Sequence, residues 1–316
     1  MKVFITGITG FVGRYLTEYL LDQKGVVVGG TSFLETPAKA QKLFNKKVKI
    51  YKVDLLNKSK IDSSIKSFKP DVIFHLAGIS STSNAWEDSE FTLKNNIFGQ
   101  LNLLNSIKEY SPKARLFIVS SAQVYGNVSK KDLPTSELVF PKPTNPYSVS
   151  KLSQEMLGYQ FFNSFGLDVV ILRPSNHIGP RQEGNFVVSR FAEQIANIDR
   201  GLAKPTMSVG NLEAMRDFTD VRDIVKAYFI AIKKAKKGEV YNLGSDKAIK
   251  IKDILNILLS FSSKKITVEQ DKRFMHPSDI PVIEVSSVKF RRATGWRPKI
   301  IIKETLKEAL TYWKEK

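Results

Sequence analysis

Tyr147 and Lys151 stand four residues apart in the segment NPYSVSK, and a tyrosine beside a lysine can move a proton. Residues i and i+4 share a helix face, and Pro146 suits a first helical position, which predicts the pair near a helix start. A lysine cation, with any further positive charge nearby, would lower the tyrosine pKa from its usual value of about 10. Alone, the pair is a common feature of helix surfaces, so its meaning depends on the rest of the chain.

The surrounding elements alternate between strands and helices. Six short apolar segments, from KVFITG to LDVVILRPSN, are separated by glycine turns and helical patterns. Such strands predict a parallel sheet covered on both faces. The predicted fold class is α/β, a Rossmann-type doubly wound parallel sheet with a smaller mixed α/β C-terminal lobe. We assign residues 1–175 and 215–245 to the Rossmann domain, and residues 176–214 and 246–316 to the substrate-binding lobe.

A glycine-rich turn, TGITGFVG, follows the first strand and precedes the first helix. Its glycines let a phosphate approach the backbone, where the helix N-terminus offers free N–H groups, so the turn predicts dinucleotide binding. The fifth strand ends in SSAQVYG, and strand carboxyl ends are where such sheets bind ligands, so Ser121 is the candidate for holding a substrate oxygen. The predicted cofactor-binding residues are Gly7, Gly10, Phe11, Val12, Gly13, Arg14, Ser32, Asp54, Leu55, Leu76, Ala77 and Lys151.

The choice of cofactor depends on the end of the second strand, which reads GGTSF. It lacks the acid that would bind the 2′-hydroxyl of NAD, whereas Ser32 and Arg14 could contact a 2′-phosphate. These observations favour NADP(H), with NAD(H) as the alternative. Phe33 stands where a strict NADP enzyme would be expected to carry an arginine. Asp54 is placed to contact the adenine edge or to cap a strand end.

The glycine turn, Ser121 and the Tyr147–Lys151 pair together resemble the extended short-chain dehydrogenases/reductases that act on nucleotide sugars. The segment RPSNHIGPRQ resembles the RP-x-N-x-x-GP segment of that family. The segment VGNLEAMRDFTDVRDI resembles GDP-mannose 4,6-dehydratases and, more closely, GDP-4-keto-6-deoxy-D-mannose reductases. The resemblance implies that Ser121 and Tyr147 contact the reacting sugar oxygen, Lys151 the nicotinamide ribose, and Arg216 the diphosphate. The predicted substrate-binding residues are Ser81, Gln123, Asn176, Arg181, Val187, Arg190, Asn211, Arg216, His276 and Asp279.

Two departures from these families bear on the reaction. Gln123 replaces the glutamate with which dehydratases remove a proton, and an amide cannot accept a proton at neutral pH. His276 stands where the family tends to have an arginine, and Arg273 is a candidate to compensate. The predicted reaction is 4-keto reduction of a GDP-4-keto-6-deoxyhexose. A nucleotide-sugar 4-epimerase or 4-oxidase that retains NAD, and a catalytically silent Rossmann binding protein, are the alternatives.

The composition limits the environment and partners of the chain. The 316 residues contain no cysteine and only three histidines, which argues against thiolate and histidine metal sites and fits a cytoplasmic enzyme. The net charge of +18 is spread in small lysine clusters, which predicts a solvated surface rather than nucleic-acid binding. No apolar run approaches a membrane span. The helical segments 91–110 and 147–165 carry apolar and aromatic residues on more than one face. They resemble the helices through which relatives form an intermolecular four-helix bundle, so we predict a homodimer.

Overall fold

The computed structural model describes residues 1–275 and 280–316. Its strands are β1 (Lys2–Thr6), β2 (Val27–Ser32), β3 (Lys49–Lys52), β4 (Val72–His75), β5 (Arg115–Val119), β6 (Asp168–Pro174), β7 (Asn176–Ile178), β8 (Thr206–Val209), β9 (Met215–Asp220), β10 (Val240–Leu243), β11 (Ala248–Lys250), β12 (Thr267–Gln270) and β13 (Val282–Ile283). Its helices are α1 (Phe11–Leu21), α2 (Pro37–Gln41), α3 (Lys58–Phe68), α4 (Thr82–Glu87), α5 (Ser89–Leu93), α6 (Gly99–Tyr110), α7 (Pro146–Phe165), α8 (Val187–Asp199), α9 (Val221–Lys234), α10 (Ile251–Leu259), α11 (Val288–Thr294) and α12 (Ile302–Glu315).

The larger part of the molecule is a seven-stranded parallel sheet in the order β10-β6-β5-β4-β1-β2-β3. The strands are buried because one apolar core packs α1 and α9 against one face, and a second packs α3, α6 and α7 against the other. The predicted Rossmann-type fold is therefore confirmed. The strand order changes direction beside β1, so the crevice for a ligand lies at the carboxyl ends of β1 and β4.

The smaller lobe has its own apolar core, in which α8, α10 and α12 pack against β8 and β9. Strand β9 pairs with β7, β11 and β13, while β8 pairs with β12. Strand β9 lies within the segment 215–245 that we assigned to the Rossmann domain, although its hydrogen bonds join it to strands of the smaller lobe. The division into two domains otherwise stays a prediction.

The long helical pattern at 91–110 is divided by a wider turn. Residues Lys94–Phe98 form a π-helical turn between α5 and α6. The buried Asn96 side chain accepts from the Ile79 amide (2.8 Å) and donates to the Ser150 hydroxyl (2.9 Å). Turns of this type occur mostly as insertions at functional sites. Here the turn joins the loop after β4 to the helix that carries Tyr147.

The helices and the acidic and histidine side chains within residues 1–275 and 280–316 bear on membranes and metals. Among these residues, no helix is long and apolar enough to cross a membrane. The same residues contain no group of three or more histidine, aspartate or glutamate side chains arranged to hold a metal ion.

Candidate active site

A cleft of about 740 Å³ lies at the carboxyl edge of the large sheet and continues into the smaller lobe. It brings together residues that are far apart in the sequence, including most of the predicted site. The predicted residues that line it are Gly7, Gly10, Phe11, Val12, Gly13, Asp54, Leu55, Leu76, Ala77, Ser81, Ser121, Gln123, Tyr147, Lys151, Asn176, Val187, Arg190, Asn211 and Arg216. His276 and Asp279 lie outside the described residues.

The glycine turn has the geometry that a dinucleotide phosphate requires. Gly7 has a φ of +71°, and a Cβ atom at Gly13 would lie only 2.3 Å from the Gly7 carbonyl oxygen. Only glycine therefore allows α1 to pack this closely on β1. Gly10 caps α1 without any side-chain hydrogen bond, and the first turn carries no acidic residue. The helix N-terminus thus has N–H groups and a positive dipole with which it would hold a phosphate.

The end of the cleft beside β2 is lined by only some of the predicted cofactor-binding residues. Arg14 and Ser32 do not line the cleft. The Arg14 Nε donates to the Thr9 carbonyl (2.9 Å), and the Ser32 hydroxyl contacts the Thr9 hydroxyl (3.1 Å). Instead, Phe33 lines the cleft with 61% of its surface exposed. Asp54 lines the cleft and accepts from the Leu56 amide (2.9 Å), so both interpretations of this residue remain open.

The serine, tyrosine and lysine meet in the middle of the cleft. Helix α7 begins at Pro146, as predicted, and the Asn145 side chain caps it by accepting from the Ser148 amide (2.8 Å). Tyr147 and Lys151 then project from one helix face. The Lys151 Nζ donates to the Val119 carbonyl at the end of β5 (2.9 Å). Since Ser121 follows that strand end by two residues, the fold assembles all three groups.

Burial controls the ionisation of both helix residues. It raises the pKa of Tyr147 to about 12, although a hydrogen bond with Ser121 acts in the opposite direction. Burial also lowers the pKa of Lys151 to about 8, while the negative charge of Glu155 opposes this effect. In the chain alone, loss of solvation determines the raised pKa of Tyr147. The lowering expected from Lys151 together with an oxidised nicotinamide, which is positively charged, stays a prediction. The protonated phenol is the dominant form at neutral pH.

The wall of the cleft that includes Gln123 and Arg216 is polar. The Gln123 Oε1 accepts from the Asn145 side chain (3.2 Å), which links the predicted substrate residue to the cap of α7. The Arg216 Nη1 donates to the Met215 and Ile280 carbonyls (2.8 and 2.7 Å), so backbone acceptors orient it at the cleft wall.

The far end of the cleft lies in the smaller lobe. The Arg190 guanidinium stacks 4.4 Å from the centre of the Phe274 ring. Both residues line the cleft with Val187 and Asn211. A flat cation against an aromatic ring forms a surface on which a planar base could stack. Ser81, in the loop on the sheet side, caps α4 by accepting from the Asn84 amide (3.3 Å).

Arg181 lies outside the cleft lining. Its two terminal nitrogens donate to the Glu18 carboxylate at 2.6 and 2.8 Å, and its guanidinium stacks 4.0 Å from the centre of the Tyr15 ring. The ion pair and burial against Tyr15 account for this placement. The structure therefore does not bring Arg181 together with the other predicted substrate residues.

Several cleft residues were not predicted as site residues. Phe274 was missed because an aromatic residue in a polar segment carries no distinct signal. Asn145 was missed although an Asn-Pro pair before an apolar helix is a recognisable cap. His177 also lines the cleft, where its ring stacks on Phe11 (6.2 Å between centres) and burial lowers its pKa to about 4. A neutral, stacked imidazole agrees with a packing role rather than with the role of a base.

Comparison with known proteins agrees with this geometry. Residues 4–309 match the family described as GDP-mannose 4,6 dehydratase. The chain is similar to the GDP-6-deoxy-D-mannose reductase of Pseudomonas aeruginosa, with 33% identity over 315 residues that cover 100% of this chain and 98% of the relative. It is similar in structure to RMD from Pseudomonas aeruginosa solved with NADPH (TM-score 0.87, 33% identity, 99% of each chain).

A second solved structure broadens the comparison. The UDP-glucose 4-epimerase of Thermus thermophilus, solved with NAD, superimposes with a TM-score of 0.87 at 27% identity over 99% of each chain. The scaffold thus occurs with either nicotinamide cofactor. The chain belongs to the GDP-mannose 4,6-dehydratase family of NAD(P)-dependent, nucleotide-sugar-modifying enzymes among the extended short-chain dehydrogenases/reductases.

Proposed function

We propose that this enzyme reduces the 4-keto group of a GDP-4-keto-6-deoxyhexose with NADPH. The observation that carries the proposal is the meeting of Ser121, Tyr147 and Lys151 beside the glycine turn in one cleft. The GDP-6-deoxy-D-mannose reductase that covers the full chain supports the choice of substrate. The absence of cysteine fits a cytoplasmic enzyme.

The residues of the cleft would divide the reaction into hydride and proton transfer. Reduced nicotinamide, when bound, supplies the hydride that adds to the C4 carbon. Tyr147 donates its phenolic proton to O4, and Ser121 hydrogen-bonds the same oxygen as negative charge develops. Lys151 contacts the nicotinamide ribose and stabilises the phenolate left on Tyr147. The products are the 4-hydroxy sugar and the oxidised cofactor.

Gln123 supports reduction over dehydration. Its side chain holds a hydrogen bond with Asn145 and lines the cleft beside Ser121. Because an amide has no basicity at neutral pH, it cannot remove a proton from the sugar ring. The site therefore retains the groups for hydride transfer without the base for elimination.

The remaining cleft residues are proposed to bind the nucleotide. Arg216 would contact the diphosphate, and the Arg190–Phe274 stack with Val187 and Asn211 would face the base. Asn176 and Ser81 would face the sugar. At the cofactor end, Phe11, Val12, Leu55, Leu76 and Ala77 would enclose the dinucleotide between the glycine turn and Asp54.

The substrate assignment can be tested by measuring NADPH oxidation with GDP-4-keto-6-deoxymannose and with dTDP-4-keto-6-deoxyglucose. We expect kcat/KM to be higher for the GDP-linked sugar by about a hundredfold, because only the matching base fills its subsite. NADH in place of NADPH is the matched cofactor comparison. Equal rates with both sugars would contradict the assignment of the base.

A 4-epimerase or 4-oxidase with tightly held NAD is the second candidate. The placement of Arg14 and Ser32 outside the cleft lining favours it, because these were the two residues predicted to contact a 2′-phosphate. The Thermus thermophilus epimerase solved with NAD supports the same alternative. The two candidates share the proton-transfer residues and differ in whether the cofactor leaves after each cycle.

We also propose that the enzyme is a homodimer. Helix α7 and the π-helical turn leave Phe98, Met156 and Tyr159 between 53% and 56% exposed. An apolar groove runs beside them along Ile97, Pro143, Val149, Leu152, Ser153, Met156 and Leu157. Apolar patches of this kind on a soluble protein mark interaction sites. A second copy would complete a four-helix bundle here.

The homodimer prediction is tested by Met156→Glu. Burying an unpaired carboxylate at the dimer contact should raise the dimer dissociation constant by about a hundredfold or more. Leu202→Glu is the control, since Leu202 is 65% exposed but lies after α8 in the smaller lobe. Sedimentation velocity at micromolar concentration measures both variants. A wild-type monomer, or an unchanged dimer in Met156→Glu, would contradict the proposed interface.

A further inference from the structure

Helix α7 carries a third buried ionisable residue, one turn beyond Lys151. Glu155 is fully buried, and its carboxylate accepts from the Arg173 Nε (2.8 Å) and Nη2 (2.6 Å). The Ser120 hydroxyl donates a short hydrogen bond to the same carboxylate. Glu155 therefore links Ser120, which immediately precedes Ser121, to helix α7, which carries Tyr147.

Arg173, on β6, extends this contact to the other side of Ser121. Its Nη1 donates to the Tyr125 hydroxyl (2.8 Å), and its guanidinium stacks 4.8 Å from the centre of the Tyr125 ring. The Tyr125 hydroxyl in turn donates to the Asn242 side chain on β10 (2.8 Å). Tyr125 ends the short 3₁₀ turn that begins after Ser121. One buried ion pair thus holds both ends of the segment 120–125.

We propose that the Glu155–Arg173 pair is a positioning clamp, which sets the approach of Ser121 to Tyr147 and thereby controls turnover rather than ligand binding. Neither Glu155 nor Arg173 lines the cleft, so the clamp does not contact a ligand there. Glu155 also acts on Lys151 through its negative charge, which the Arg173→Lys variant retains. A planar guanidinium bound through two nitrogens fixes direction as well as distance. A displacement of about 1 Å in a reacting group can cost about a hundredfold in rate.

Stability alone is a weak reason for this pair. Replacing a buried ion pair with apolar side chains is often neutral or stabilising, because both charges lose hydration. The placement of the pair beneath Ser120 and Tyr125 indicates a geometric role instead. The kinetic part of this inference rests on the proposed reductase function.

Strands β5 and β6, which lead to Ser120 and carry Arg173 at one end, provide a matched control at their opposite ends. Arg115 begins β5, Asp168 begins β6, and they form an ion pair of 2.9 Å. This pair joins β5 to β6 at the edge of the sheet remote from the cleft, whereas the clamp joins α7 to β6 beside the cleft. Asp168→Asn therefore removes an inter-strand ion pair without disturbing the segment 120–125.

Glu155→Gln is expected to lower kcat for the keto sugar by about thirtyfold to a hundredfold, with KM and the NADPH dissociation constant changed by less than about threefold. Arg173→Lys should act in the same direction, because one ammonium cannot hold the Glu155 carboxylate through two nitrogens and also reach Tyr125. Asp168→Asn should lower the Tm while its kcat stays within about twofold of wild type. All assays are run well below the lowest Tm of the set.

A substrate-independent measurement separates this inference from the proposed function. Crystal structures of the wild type and Glu155→Gln with NADPH should show Ser121 displaced from the Tyr147 phenol by about 1 Å or more in the variant. A wild type that does not reduce the keto sugar would end the proposed function, while this comparison would still test the clamp. The positioning clamp would be overturned by an undisplaced Ser121, or by a kcat that is retained in both clamp variants while their Tm falls. If Glu155→Gln does not fold, Arg173→Lys carries both measurements.

Discussion

Replacing Tyr147 with phenylalanine is expected to lower kcat by about a thousandfold, which corresponds to about 4 kcal/mol of transition-state stabilisation. The substitution removes only the hydroxyl that would protonate the sugar oxygen. Tyr147 is 7% exposed and its ring is retained, so the fold and the cleft should be unchanged. The dissociation constants for NADPH and for the nucleotide sugar should stay within about threefold of wild type.

Tyr241→Phe is the matched control for this variant. Tyr241 is 2% exposed and lies away from the cleft, and its hydroxyl accepts a hydrogen bond from the Lys236 backbone amide (3.1 Å). Continuous assays that follow NADPH absorbance give kcat for both variants, and thermal unfolding gives their stability. Near-normal turnover of Tyr147→Phe would remove the tyrosine from the proton-transfer step.

Lys151→Met should impair both turnover and cofactor binding. Lys151 is 5% exposed, and methionine fills a similar volume without the cation. We expect kcat/KM to fall by about a hundredfold or more because the developing phenolate loses its positive neighbour. The NADPH dissociation constant should rise by about tenfold, since a charged hydrogen bond to the ribose is lost.

Lys289→Met controls for the loss of a lysine that caps a strand carbonyl. The Lys289 Nζ donates to the Val240 carbonyl (2.8 Å) and pairs with Glu239 (2.6 Å), outside the cleft lining. Nicotinamide fluorescence titration reports cofactor affinity independently of turnover. Loss of rate with unchanged NADPH affinity would show that Lys151 does not contact the ribose.

Local patterns explain what could be predicted from the sequence. The glycine turn and the Pro146–Tyr147–Lys151 helix start are short-range features, and the structure places them as expected. The continuously apolar strands led to the parallel sheet, which is confirmed. These features depend on residues within a few positions of one another, so a single sequence displays them.

Long-range pairing explains what could not be predicted. Arg14 and Arg181 have residue types that suit phosphate binding, but the Thr9 carbonyl accepts from the Arg14 Nε and the Glu18 carboxylate accepts from both Arg181 terminal nitrogens. The pKa of Tyr147 depends on burial by several elements, which no local pattern reports. Glu155 and Arg173 pair between a helix and a strand, and each reads in the sequence as an isolated charge.

The most direct test of the reductase assignment is the balance of coenzyme. The purified enzyme is denatured and its released dinucleotide identified, and then NADPH absorbance is followed with GDP-4-keto-6-deoxymannose present. We predict little bound nicotinamide and one NADPH consumed for each sugar reduced, because a reductase must release oxidised cofactor in every cycle. Bound NAD equal in amount to the protein, with sugar converted and no net coenzyme consumed, would contradict the reductase and assign the enzyme as an epimerase or a cofactor-recycling oxidase.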